Sequence, residues 1–75
     1  MKLPQVSGED TIKILERNGF AVVSTKGSHV KLRQVTSSGL INTVIVPKHK
    51  TLKMGTLRAI IAQAGLNPNT FLVKL

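Results

Sequence analysis

Phe20 to Val35 reads FAVVSTKGSHVKLRQV. Two runs rich in β-branched residues flank a Gly-Ser pair, a combination that closes a two-residue type II′ hairpin. With Gly27 and Ser28 as the turn, Lys26 pairs with His29, Thr25 with Val30, Ser24 with Lys31, Val23 with Leu32 and Val22 with Arg33. Directly opposed residues share a face. This register predicts Ala21, Val23, Val30 and Leu32 on one face and Ser24, Lys26, His29, Lys31 and Arg33 on the other. A slip of one residue would drive the charges into the core. The hairpin thus has an apolar side and a cationic side.

Working outward, a turn at TSSG (Thr36–Gly39) leads into LINTVIVP (Leu40–Pro47), a third strand apolar on both faces. Such a strand is expected to be covered on one side and shielded on the other, and Pro47 should end its pairing. Upstream, Ser7 followed three residues later by Asp10 is a capping-box signal, and the helix it opens should end at Asn18 before Gly19. Ile12 and Leu15 are expected to form its buried stripe, with Ile14 at the flank. Downstream, TLRAIIAQAG (Thr56–Gly65) places Leu57, Ile60, Ile61 and Ala64 at i, i+3, i+4 and i+7, with Gly65 as the C-terminal cap. Its start falls between Lys53 and Thr56. In NPNTFLVKL, Asn67 and Pro68 suit the first positions of a short closing helix. The order is helix, three antiparallel strands, helix: an α+β sandwich, α-β-β-β-α, with the helices packed on one face of the sheet.

The chain has 75 residues, enough for one domain spanning 1–75 and a single small core. Eleven Lys and Arg against three acids give a net charge of +8, which self-repels and attracts polyanions. Two Phe and no Trp or Tyr leave little on which bases could stack, arguing against a single-strand platform. The absence of Cys removes disulfides, thiol nucleophiles and thiolate metal sites. MKLPQVSGED reaches Pro4 too soon for a signal peptide, and no apolar run approaches the roughly 18 residues of a membrane span. A cytoplasmic protein with no membrane association is expected.

An antiparallel meander brings PKHK (Pro47–Lys50) to the sheet end that carries His29, and the second major helix starts from that end too. Its free amides with Lys48, Lys50 and Lys53 would form a phosphate cradle. His29, solvent-facing and opposite Lys26, is the candidate general base, because a neutral imidazole can take a proton from a hydroxyl. RNA carries its own nucleophile, the 2′-hydroxyl. An enzyme need only deprotonate it, steady the phosphorane charge with Lys or Arg and protonate the leaving oxygen.

The other candidates have structural readings beside functional ones. His49 is either a second acid or base or part of a polar connector. Ser28 serves turn geometry and could also hydrogen-bond a phosphate. Lys31 and Arg33 form the solvated side of a half-buried strand, which is also where nucleic acid would lie. Arg58 faces either phosphate or water. Glu9, Asp10 and Glu16 all belong to the first helix, and two histidines without a third ligand make a poor zinc site, so a metal-independent mechanism with no cofactor is expected.

GSHVKL after an NGF helix end, then VIVPKH, then LKMGTLRAIIAQAGL resembles the HicA, or YcfA-like, family of bacterial toxins over nearly the whole chain. The resemblance implies a fold like that of small double-stranded-RNA-binding domains. It also implies an mRNA interferase, an endoribonuclease that cleaves mRNA and arrests translation and growth, neutralised by a HicB antitoxin. The family's catalytic histidine, in its Gly-Ser-His motif, falls on His29. Its GTLR segment falls on Gly55 to Arg58, and its Pro-x-His region on Pro47 to His49. Many relatives carry a short loop between the second and third strands, where this chain has VTSSGLINT. A non-catalytic module that binds duplex RNA by shape, and a partner protein that only docks an acidic chain, are the alternative readings of the residues themselves.

Overall fold

The computed structural model describes residues 5–70. Helix α1 (Gly8–Arg17) is followed by β1 (Ala21–Lys26), β2 (His29–Val35), β3 (Ile41–Pro47) and helix α2 (Met54–Ala64). The strands form one antiparallel sheet in the order β1-β2-β3. This is the α-β-β-β-α arrangement expected from the sequence. Val30, Leu32, Val44 and Val46 point from the sheet into a core shared with Ile14 and Leu15 of α1 and Leu57, Ile60, Ile61 and Ala64 of α2. Both helices therefore lie on one face, and the other face is left open among the described residues.

Each helix starts and stops for a local reason. At the α1 N-terminus the Ser7 hydroxyl accepts from the Asp10 amide at 3.0 Å, and the Asp10 carboxylate accepts from the Ser7 amide at 3.5 Å, closing the capping box. Thr11 is fully buried and donates from its hydroxyl to the Ser7 carbonyl at 2.9 Å, so no polar atom is stranded. The α1 stripe consists of Thr11, Ile14 and Leu15; Ile12, expected at its centre, is only partly buried beside the core, and Ile14 takes its place. Helix α2 buries the four positions its periodicity names and stops at Gly65 in the left-handed region at φ 69°. The Leu66 amide then reaches back to the Ile61 carbonyl at 3.2 Å. Beyond it the Asn67 side chain accepts from the Asn69 amide at 2.9 Å, as an N-cap does. Pro68–Thr70 begin a helical turn, and the rest of the closing helix expected there lies outside the described residues.

The first hairpin turns at Gly27–Ser28, with φ +60° at Gly27 and no non-glycine residue at positive φ among those described, as type II′ requires. Lys26↔His29, Thr25↔Val30 and Ser24↔Lys31 pair as the sequence predicts. The expected pairs Val23–Leu32 and Val22–Arg33 do not form. A β-bulge between Val22 and Ser24 places Val22 opposite Leu32 and Ala21 opposite Arg33. One extra residue in β1 breaks the alternation, so the apolar face assigned to Ala21 and Val23 is not a buried one. All six β1 residues are exposed, and only Val30 and Leu32 of that set enter the core. A second correction concerns β3, whose outer side has no cover among the described residues: Ile41 and Ile45 are exposed while Val44 and Val46 are fully buried.

Candidate active site

The end of the sheet that carries His29 is held by three backbone hydrogen bonds. The Lys48 amide donates to the Ser28 carbonyl at 2.6 Å, which ties the exit of β3 to the β1–β2 turn. The Gly8 amide donates to the His49 carbonyl at 2.8 Å, and the Leu52 amide to the Val6 carbonyl at 2.8 Å. The Pro47–Leu52 connector is thus fixed to the hairpin on one side and to the entry of α1 on the other. Gly8 is required there. A Cβ at this position would overlap the Pro47 carbonyl oxygen and sit 2.8 Å from the Lys48 Cα.

His29 is the first residue of β2, opposite Lys26 on β1 and Pro47 on β3. It alternates with the buried Val30, so its ring stands on the open face, exposed to solvent. Lys31, two residues on, lies between Ser24 and Ile45. Ser24, Lys26, His29, Lys31 and Ile45 together line a depression of about 280 Å³. Among the described residues it holds one imidazole, two ammonium groups and a hydroxyl, and no carboxylate. Arg33 continues the same face opposite Ala21 and Thr43.

The remaining candidates are not gathered around His29. Lys48, His49 and Lys50, all exposed, line a different depression with Ser7 and Glu9 at the α1 N-terminus. Ser28 contributes its carbonyl to the Lys48 amide, a structural contact. Lys53 is the N-cap of α2, makes no side-chain capping bond, and precedes a first turn that has no acidic residue. Arg58 is an exposed residue of the same helix. Because α2 packs on the face opposite the imidazole, neither Lys53 nor Arg58 lines the His29 depression, and the expected convergence of the α2 N-terminus with that ring is absent from it. Among the described residues, the cations beside the imidazole are those of the hairpin itself.

Ser24 and Ile45 belong to the depression without being among the candidates the sequence names. Ser24 sits on the face already assigned as polar. Ile45 follows from the β2–β3 register, which could have been counted back from Pro47 opposite His29. Among the described residues no three His, Cys, Asp or Glu side chains come together as a metal site would need. No helix among them is long and apolar enough to cross a membrane.

A family model described as the HicA toxin of bacterial toxin-antitoxin systems matches residues 8–66, from the first residue of α1 to the residue after the α2 cap. No curated protein matches the chain.

Proposed function

The chain belongs to the HicA toxin family of bacterial toxin–antitoxin systems, and from that premise we propose that it is an endoribonuclease that cleaves mRNA with His29 as general base. The observation that carries this reading is the depression in which an exposed imidazole shares the open face with Lys26 and Lys31. A phosphodiester laid across β1 and β2 would bring its 2′-hydroxyl to the His29 ring. The imidazole takes that proton as the 2′-oxygen bonds to phosphorus. Lys26 and Lys31 offset the charge that grows on the non-bridging oxygens. The bond to the 5′-oxygen then breaks, and the leaving oxygen takes a proton from water in this open site. The products are a 2′,3′-cyclic phosphate and a 5′-hydroxyl, and no step requires a metal ion. Arg33 extends the cationic track along the same face. Lys48, His49, Lys50, Lys53 and Arg58 would meet RNA only where it wraps around the edge of the sheet.

A toxin family implies an antitoxin partner. We take it to be a HicB-like protein, acidic where it meets this chain, that covers His29 and Lys26. The test is incubation of labelled mRNA with the purified wild-type protein and with His29→Ala, with and without EDTA. The wild type should cut with or without EDTA, and the variant should be slower by roughly 10² to 10⁴ fold while still binding RNA. Equal cleavage by both proteins would remove His29 from the mechanism. Binding without cleavage by either would leave a non-catalytic RNA-binding module.

A further inference from the structure

The open face of the sheet has two zones. Toward β1 lie Lys26, His29, Lys31 and Arg33. At the far end of β2 and along β3 the large side chains are aliphatic, with Val35 67% and Ile41 65% exposed, and Leu40, 69% exposed, stands in the loop just before β3. Val35 and Ile41 are directly paired across β2 and β3, so they share a face. They alternate with the buried Leu32 and Val44 in the same sense as Lys31 and Arg33, which puts them on the open face with the cations. The last β1 pair is Ala21 with Arg33, so the Val35–Ile41 tip projects beyond β1. Val35 is six residues from His29 along one strand, on the order of 20 Å.

Such a ridge is not a by-product of the core, which is built from the alternate residues. Nor is it useful to RNA, which offers phosphates, hydroxyls and base edges and gains little from Val and Ile side chains. Self-association is opposed by charge: a second copy would bring another +8 and a second Lys31–Arg33 row against the first. A protein that meets this face must be acidic where it covers the cations and apolar where it covers the ridge. Resting on the family's implied antitoxin, we propose that Val35, Leu40 and Ile41 form the anchor on which the antitoxin docks, with Lys31 and Arg33 setting its orientation. The antitoxin's affinity and the occlusion of His29 then reside in different parts of one face. Substitutions at the tip should free the toxin from its inhibitor and leave the chemistry unchanged.

The experiment uses the full chain and, as the probe, the purified protein encoded by the adjacent open reading frame. Calorimetric titration compares wild type with Val35→Thr/Ile41→Thr, which keeps strand-forming residues, and with Leu40→Ser in the loop as an independent variant. Ile45 is left intact because it lines the His29 depression. The double variant should bind the probe at least about tenfold more weakly, with cleavage by the free protein within twofold of wild type. Leu40→Ser should shift affinity in the same direction. Affinities unchanged within twofold for both variants overturn the proposal. So does sedimentation showing a wild-type dimer that the variants lose, which makes a second copy the occupant. If the free wild type cleaves no RNA, the nuclease reading fails while the affinity difference still decides this one.

Discussion

The Lys48 amide donates to the Ser28 carbonyl at 2.6 Å, so the turn that presents His29 and the exit of β3 move as one unit. The next residue continues the chain of support, since the His49 carbonyl accepts from Gly8 at the start of α1. An exposed imidazole on a two-residue turn would otherwise sample many positions. Here the backbone beneath it is pinned to both β3 and the first helix.

Gly8→Ala tests that support. The added methyl has nowhere to go, with the Pro47 carbonyl and the Lys48 Cα in its way. Overpacking of this kind costs about 1–3 kcal/mol, and the displaced connector should also lower the cleavage rate. Denaturant unfolding and a cleavage assay on the same preparation measure both. Wild-type stability in the variant would mean that the contact yields freely.

Lys31→Gln and Arg58→Gln separate the two layers of the molecule. Lys31 lines the His29 depression, whereas Arg58 lies on α2 beyond the sheet. If RNA occupies the open face, Lys31→Gln should reduce the slope of log affinity against log salt by about 1 and slow cleavage. Arg58→Gln should leave both nearly unchanged. Equal losses from the two variants would place the RNA across the helical layer as well.

Core and open face should respond to truncation in opposite ways. Leu32 is fully buried, and Leu32→Ala should cost about 2–5 kcal/mol. Ile45→Ser removes a side chain that is 49% exposed, and its cost should stay well below that of Leu32→Ala. Urea midpoints for the two variants make the comparison. A large loss from Ile45→Ser would show that the open face is more tightly packed than its exposure indicates.

The contrast between Leu32 and Ile45 also marks what the amino-acid sequence discloses. Helix α2 is legible because Leu57, Ile60, Ile61 and Ala64 repeat at a helical period and Gly65 closes it, all within a dozen residues. The Gly27–Ser28 turn and the three pairs nearest it are legible because turn chemistry is local. The bulge at Val23 is not, since a run of Ala-Val-Val-Ser suits either register and its own alternation does not say which residues face α1. The uncovered side of β3 is invisible for a different reason. Apolar residues on both faces of a strand state that both faces want cover, not whether the cover belongs to the same chain. Alternation alone puts His29 on the side opposite Val30, but its distance from α2 depends on which side of the sheet that helix packs.

Gly27 provides the sharpest test of how the turn holds the site. Its φ of +60° is costly for an L-residue, yet a Cβ there would meet nothing within 4 Å. Gly27→Ala should therefore destabilise the protein by about 1–2 kcal/mol through backbone conformation alone. A D-alanine at the same position, introduced by chemical synthesis, adds the same methyl in the mirror-image sense that positive φ accommodates. It should match or exceed wild-type stability. Cleavage should follow the same order, because the Lys26–His29 pair that flanks the turn is the start of the cationic face. If the L- and D-alanine proteins melt at the same temperature, the type II′ geometry does not determine stability. If they melt differently but cleave RNA equally fast, the position of His29 does not depend on the turn that carries it.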